Sequence, residues 1–337
     1  MPLWISESDV VQLMDMRGAI TALESGLQTE AAGNALNMVK THVEWPGGGT
    51  LHAIGAAFPK AGFVGTKTWA HTPGGATPLV TLYDSNNGEL KAVIESFALG
   101  QMRTASASAL ATQRLAAADA KQFAIIGTGK QAIPQLAAIL AVRPIRQVRV
   151  FSPDEARRNQ FVARVRSEFE TDAVAASSVR EAVKGAAIVT AVSRARDPII
   201  SADMLDPGTH VNAVGAITPN RAEFAAGVIA RATQIVADSV PQAQKLSREL
   251  IEAFGADQTK WQRVQSLAAL IASLGTRKAS DDLTFFKSLG MGISDLALAI
   301  DIYHKAADAG LGRNFSHPEK VSPKLQTTQP APSHAGG

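Results

Sequence analysis

Two cations sit in segments that give no reason for a surface charge. Lys67 lies in Phe63-Val-Gly-Thr-Lys-Thr-Trp, at the end of an apolar strand in a stretch otherwise short of charge. Arg103 lies in Gly100-Gln-Met-Arg-Thr-Ala-Ser-Ala-Ser-Ala, read as the start of a helix built from small residues. A cation at a helix N-terminus opposes the macrodipole, so helix stability does not account for it. Flanking residues that are apolar or tiny imply a partly buried charge, and a buried charge needs a counter-ion. An anion is therefore expected beside them, either a substrate carboxylate or the phosphates of a cofactor.

A phosphate cradle follows closely. Gln122-Phe-Ala-Ile-Ile-Gly127-Thr-Gly129-Lys-Gln-Ala132 joins a strand-length apolar run to Gly-x-Gly-x-x-Ala, and Ala-Ile-Pro-Gln-Leu-Ala-Ala-Ile-Leu-Ala continues as a helix. Gly127 makes the tight turn, Gly129 lets the backbone approach a pyrophosphate, and Ala132 keeps the helix against the sheet. The helix N-terminus supplies free N–H groups and a positive dipole end. A Walker-type phosphate loop is excluded, because Ala124 stands five residues before Gly129 and Gln131 follows Lys130. NAD sites place an Asp or Glu at the end of the second strand, roughly 20 residues past the motif, to hold the ribose hydroxyls. Here Ser152-Pro153 ends that strand and Arg157-Arg158 follow, a set that suits a 2′-phosphate. NADP is expected ahead of NAD, with Asp154 left as an alternative ribose ligand.

These groups need a scaffold, and the chain is long enough for about two domains. It has 337 residues, 46% of them hydrophobic and none of them cysteine, so a disulfide, a thiolate nucleophile and a Cys-bound metal are excluded. The N-terminus shows no basic n-region followed by an apolar core, and no apolar run approaches the ~18 residues of a membrane span. A cytoplasmic protein that engages neither membrane nor nucleic acid is expected. The net charge of +3 is dispersed and not clustered among aromatics, which points to a solvated surface.

Ser8-Asp9 reads as the cap of an opening helix, and Met16 to Ala32 as an amphipathic helix stopped by Gly33. From Asn34 to Glu95, short apolar segments alternate with Gly and Pro, as in an antiparallel sheet with a turn at Asn86-Asn87-Gly88. A small-residue helix over Thr104 to Ala118 leads to the glycine motif. Beyond it, strands (Val148 to Phe151, Ile188 to Val192, His210 to Val214, Ile235 to Asp238) alternate with helices, one of them Asp154 to Phe169. That rhythm predicts a doubly wound parallel sheet. Ile293 to Ala309 is a strongly periodic helix closed by Gly310, and the Pro/Ser/Thr/Gln-rich segment from Ser316 reads as a disordered tail.

Among the histidines, His71 falls in Trp69-Ala-His-Thr-Pro-Gly-Gly-Ala-Thr77, read as a loop that covers a substrate. His42 and His52 are expected to be structural, and His210 to stabilise a turn. No pair of histidines has metal-ligand spacing with carboxylates, so no catalytic metal is expected. Asp281-Asp282 reads as a turn or cap.

The chain resembles the ornithine cyclodeaminase/mu-crystallin family up to about Phe315. The matching segments are Ile5-Ser-Glu-Ser-Asp-Val, Gly65-Thr-Lys67, Leu79 to Glu89, Met102-Arg103-Thr104-Ala105, and Gly127-Thr-Gly129-Lys-Gln-Ala132. Gly208-Thr-His210-Val-Asn-Ala-Val-Gly215 and Phe286-Lys-Ser-Leu-Gly290 complete the order. The resemblance implies a homodimer in which an N-terminal α+β substrate and dimerisation domain (1–117, with 306–315 returning to it) packs beside a Rossmann domain (118–305). Residues 316–337 would form the tail, and the active site would lie in the cleft.

The chain departs from the family pattern in two places. Cyclodeaminases carry an Asp after Val-Gly-x, where this chain has Ile217. An upstream carboxylate-binding Arg is best matched by Lys40, which has charge but no bidentate fork. The resemblance then implies an NAD(P)H-dependent reductase of cyclic or acyclic 2-imino carboxylates, or an amino-acid dehydrogenase. Lys67 would be the proton donor, its basicity lowered by neighbouring cations. Arg103 and Lys40 would clamp the carboxylate, with His71 and Thr77 as further substrate contacts. The cofactor would touch Thr104, Gly127, Thr128, Gly129, Lys130, Gln131, Ser152, Arg157, Val192 and Val214. A redox-neutral cyclodeaminase and a non-enzymatic dinucleotide-binding protein are the alternatives.

Overall fold

The computed structural model describes residues 1–325. Residues 316–325 of the expected tail are exposed and form no helix or strand; the rest of it lies outside the described residues.

The first sheet is antiparallel apart from one pairing. Its strands are β1 (Leu3–Ile5), β2 (Leu36–Asn37), β3 (Thr41–Trp45), β4 (Gly49–Phe58), β5 (Phe63–Thr72), β6 (Gly75–Ala76), β7 (Leu79–Asp84) and β8 (Leu90–Glu95). The late strand Arg313–Asn314 pairs with β1, which runs parallel to β8; the order then continues β8-β7-β5-β4, with β2 and β3 along the far edge. The turn between β7 and β8 contains Gly88 at φ +74, where glycine avoids the Cβ clash of the left-handed region.

Helices α1 (Glu7–Leu13) and α2 (Met16–Ala31) follow β1, and α3 (Phe97–Leu115) follows β8. The first cap is Ser6 and not Ser8: Ser6 and Asp9 form a reciprocal capping box, which places the acid at the third helical position. The small-residue helix also starts earlier than expected, at Phe97 and not Thr104. Its first amides are satisfied by a distant side chain, Glu7, which accepts from Phe97 N and from Ala98 N at 3.0 Å. A local reading of residues 97–103 contains no such cap. Arg103 is therefore two turns inside the helix, and the macrodipole argument for it does not hold.

The second sheet is wholly parallel. Its strands are β9 (Gln122–Ile126), β10 (Gln147–Phe151), β11 (Asp172–Ala175), β12 (Ile188–Ala191), β13 (His210–Ala213), β14 (Ala232–Ala237), β15 (Val264–Ser266) and β16 (Leu283–Lys287), in the order β11-β10-β9-β12-β13-β16-β14-β15. Starting from β9, the third, second, first, fourth and fifth strands are adjacent, which is the Rossmann arrangement, with the direction of winding reversing between β9 and β12. Helices α4 (Ala132–Val142) and α5 (Glu155–Glu168) follow β9 and β10. The buried Phe123-Ala-Ile-Ile run of β9 is what a strand covered on both faces requires.

Helix α3 is the wall shared by both layers. It packs on α2, α4, β13, β16 and the C-terminal helix Gly292–Ala309. Apart from Leu99, Leu110 and Leu115 its buried residues are Ala, Ser and Thr, which lets backbones approach from several sides. Thr112 Oγ1 accepts from Asn212 Nδ2 at 3.0 Å, and Thr284 Oγ1 donates to the Leu115 carbonyl at 2.9 Å. His210 belongs to this buried network and not to a turn, with its ring nitrogens 2.9 Å from Thr284 Oγ1 and 3.1 Å from Asn212 Oδ1. Burial pulls its pKa down to about 3, so the ring is neutral at ordinary pH. The C-terminal helix joins the core of the first layer from its first turn, earlier than residue 306, because Ile293, Leu296, Leu298 and Ile302 are all buried there. No helix among the described residues is long and apolar enough to cross a membrane.

Candidate active site

Lys67 occupies a core position of a strand. On β5 the buried residues alternate as Phe63, Gly65 and Lys67, and Lys67 lies in register between Ile54 of β4 and Val80 of β7. A lysine in such a slot needs a counter-ion from the layer above, and the C-terminal helix supplies it. The first turn of that helix rests on the β4 backbone, where a Cβ on Gly292 would collide with the Gly55 carbonyl. This close approach brings Asp295, fully buried in the same turn, onto Lys67 Nζ, which donates to Asp295 Oδ1. Arg103 Nε lies 3.2 Å from the same oxygen, an ion pair without hydrogen-bond alignment. The second oxygen, Asp295 Oδ2, is buried and unpartnered.

Two further groups complete the cluster. Trp69, on the same side of β5, has its ring centroid 5.2 Å from Lys67 Nζ and 5.8 Å from Lys40 Nζ, and it stacks on His52 at 4.7 Å. Gly290, at φ +87, lies so close to Arg103 that an added Cβ would stand 2.9 Å from Nη1. The Gly290 loop is held by Asp238, which accepts from Leu289 N at 2.8 Å, Gly290 N at 2.7 Å and Ser288 Oγ at 3.2 Å.

Electrostatics follow from this crowding. Burial, opposed by Asp295 and reinforced by the positive charges of Arg103 and Lys40, draws the Lys67 pKa down to about 8. Lys40 is also lowered, by burial and then by Arg103, with Asp238 and Asp295 working against them. His52 is brought to about 4, chiefly by burial and then by Lys40, and is neutral at ordinary pH. Asp238 is raised by burial.

The carboxyl ends of β14 and β16 reach this cluster through Asp238 and Gly290, and the glycine turn follows the carboxyl end of β9 in the same sheet. Gly127, at φ +114, packs so tightly that a Cβ would stand 2.8 Å from the Val192 carbonyl, while a Cβ on Gly129 would meet nothing within 4 Å. The first turn of α4 has no side-chain cap; Ala132 N donates to the Gly129 carbonyl at 2.9 Å and Pro134 has no N–H, which leaves Ile133 N as the amide of that turn open to an anion. A turn that only glycine fits, open space over the second glycine and an uncapped helix start together suit a dinucleotide pyrophosphate. Thr128 and Gln131 are half-buried in this turn, and Lys130 is exposed, with Nζ 5.3 Å from the Phe97 ring. Val192 and Val214 follow β12 and β13 directly.

Other residues expected in the site sit differently. His71 and Thr77 are exposed, and the segment expected as a covering loop is a β-hairpin: His71 pairs with Thr50 and Ala76, and Thr72 with Gly75. Among the described residues neither hydrogen-bonds nor ion-pairs with Lys67, Asp295 or Arg103, although His71 shares the face of β5 that carries Lys67. Backbone pairing with β4 and β6, and not an apolar pattern, continues β5 through position 72, which a loop reading misses. The Thr104 hydroxyl donates back to the Gly100 carbonyl at 2.8 Å. Asp154 is the N-cap of α5, accepting from Arg157 N at 3.0 Å, and its other oxygen lies 3.3 Å from Arg157 Nε. Ser152 is buried and its carbonyl accepts from Arg158 Nη1 at 2.7 Å. No group of three or more metal-ligating side chains occurs among the described residues.

Sequence reasoning found the cations and missed their anion. Asp295 stands in Ile-Ser-Asp-Leu-Ala-Leu, which reads as core helix. Its only local signal is an acid in the first turn of an otherwise apolar helix.

Residues 3–310 match the model of the ornithine cyclodeaminase/mu-crystallin family. A Delta(1)-pyrroline-2-carboxylate reductase of Bacillus cereus (strain ATCC 10987) is 32% identical over 239 residues, 70% of this chain and 73% of that protein. The ketimine reductase mu-crystallin of Mus musculus is 32% identical over 225 residues, 66% and 68% of the two chains. The solved Delta(1)-pyrroline-2-carboxylate reductase of Thermococcus litoralis, in complex with NADH and L-proline, superposes with a TM-score of 0.87 at 26% identity. That match covers 93% of this chain and all of the other. With the Rossmann order, the glycine turn and the buried cation cluster all in place, the chain belongs to the ornithine cyclodeaminase/mu-crystallin family.

Proposed function

We propose that the protein is an NAD(P)H-dependent reductase of 2-imino carboxylates, an oxidoreductase acting on C=N bonds. The observation that carries this reading is the buried Lys67–Asp295–Arg103 cluster, met by the Gly290 loop at the carboxyl end of a Rossmann strand. When bound, the reduced nicotinamide supplies a hydride to the imine carbon. The remaining requirements fall to this chain: a cation for the carboxylate, a proton for the imine nitrogen and a site sheltered from water.

Arg103 holds the carboxylate. Its Nε faces Asp295, while Nη1 and Nη2 make no hydrogen bond among the described residues and present a planar fork. Lys40, without an acidic partner among those residues, adds a second charge over the Trp69 ring. Lys67 gives its proton to the imine nitrogen, and a pKa of about 8 suits it to release a proton near neutrality. Asp295 keeps both cations in one geometry. The reductases of B. cereus, mouse and T. litoralis support this reading by their named reactions.

The cyclodeaminase alternative lacks support at Ile217, which offers no carboxylate. For the cofactor we favour NADP, since Arg157 is three-quarters exposed at the start of α5 while Asp154 is engaged as the cap. We also infer a homodimer formed through the β2–β4 edge, where Leu36, Val43, Trp45 and Leu51 are exposed.

The test is turnover with preformed pyrroline- and piperideine-2-carboxylate, alongside 2-oxo acids with ammonia or methylamine. One NADPH or NADH consumed per amine formed is the expected result. Conversion of ornithine without net cofactor consumption, or no turnover of any imine, overturns the reading.

A further inference from the structure

Three ionisable side chains that take no part in the proposed reaction are fully buried beneath the two strand ends beyond the winding reversal. Glu223, Glu249 and Lys287 are each 0% exposed. The Glu223 carboxylate accepts four hydrogen bonds: from Ser193 N at 2.6 Å and Ser193 Oγ at 2.7 Å, and from Gly215 N at 2.7 Å and Ala216 N at 3.2 Å. Lys287 Nζ, at the end of β16, donates to the Ala216 carbonyl at 2.6 Å and lies 3.1 Å from Glu249 Oε2. Glu249 in turn accepts from Glu223 N at 3.1 Å and Ser247 Oγ at 3.0 Å.

Every contact of the Glu223 carboxylate goes to one of two loops, the one after β12 and the one after β13. They cross where Gly215 lies flat on Ser193, since a Cβ at Gly215 would collide with the Ser193 carbonyl. Such a buried ionic set is a poor device for stability alone. Well-packed apolar residues of similar volume are often as stable, and the ions are instead retained in some proteins to select one arrangement. In a Rossmann sheet the adenosine half lies over the second strand, here β10, and the nicotinamide half lies across the reversal, here over β12 and β13.

We infer that Glu223, braced by Glu249 and Lys287, is a positioning residue: it clamps the loops after β12 and β13 at the spacing that seats the nicotinamide ring for hydride transfer. This rests on the dinucleotide reading of the site and not on the identity of the imine.

The test compares binding of NADPH and NADH with binding of ADP-ribose and its 2′-phosphate, which lack nicotinamide, by titration calorimetry on the full chain. Glu223→Gln should weaken the complete dinucleotides tenfold or more while leaving the two truncated ligands within twofold. Glu223→Asp should recover part of the loss. Where Glu223→Gln does not fold, Ser193→Ala removes one contact of the clamp and should shift the dinucleotides about threefold with the truncated ligands unmoved. Equal losses for both ligand sets mark a merely structural role and overturn the proposal, as does unchanged dinucleotide binding in a folded variant. Failure of wild-type imine turnover with tight dinucleotide binding would sink the reductase reading and leave this comparison standing.

Discussion

At the scale of single residues, the site is built from two cations that share one buried carboxylate and a third that stands nearby without an acidic partner among the described residues. Lys67 and Arg103 both converge on Asp295 Oδ1, and Lys40 stands across the Trp69 ring. Lys67→Ala should cost about 10²–10⁴ in kcat, the usual contribution of a general acid, with cofactor affinity almost unchanged. Lys67→Arg should not restore it, because guanidinium does not release its proton at working pH. Steady-state kinetics with a fixed imine checks both. The sign of the pH dependence follows from a proton donor with a pKa near 8: the acid is loaded below that value, so kcat for imine reduction should decline as pH rises through about 8. A profile that climbs through that range would remove Lys67 from the role. Both cations were legible in the sequence because charge is out of place among their neighbours. Asp295 was not, since its partner Lys67 is 228 residues away and nothing in the helix around it marks a polar contact.

At the scale of elements, the arrangement depends on backbones that approach closely. Gly55 and Gly292 let the C-terminal helix touch β4, and Gly290 lets a loop touch the Arg103 guanidinium. Gly290→Ala should be strained twice, by its positive φ at about 1–2 kcal/mol and by contact with Arg103. The expected readout is a raised KM for imino carboxylates with dinucleotide affinity intact; equal effects on both would place Gly290 elsewhere in the machinery. Five of the eight parallel strands were legible as apolar runs between helices; β11 and β15 were not, being short edge strands, nor was β16, whose apolar run is interrupted by Thr284 and Lys287. The start of α3 was not legible, because its cap is Glu7, a residue 90 positions earlier in the chain. The hairpin at β5–β6 is not legible because Gly74-Gly75 and Pro73 read as a loop, whereas β5 runs on through Thr72 and keeps His71 on the face that carries Lys67 and Trp69.

At the scale of the whole molecule, α3 itself carries Arg103 and packs against α2 and the C-terminal helix of the first layer and against α4, β13 and β16 of the second, so the two layers meet across one helix. Sedimentation should give twice the chain mass, and Val43→Asp with Leu51→Asp on the exposed edge should shift it to the monomer. A monomeric wild type would remove the dimer inference without touching the chemistry. That chemistry makes one claim above all, that hydride passes from the cofactor to the imine carbon while the nitrogen takes its proton from the protein. Mass spectrometry of the amine formed from a cyclic 2-imino carboxylate with C4-deuterated NADPH or NADH, each stereoisomer in turn, measures that transfer directly. One stereoisomer should deliver a single deuterium to the carbon bearing the carboxylate, and the other none. Product that carries no deuterium from either, or product formed with the cofactor unconsumed, would contradict it.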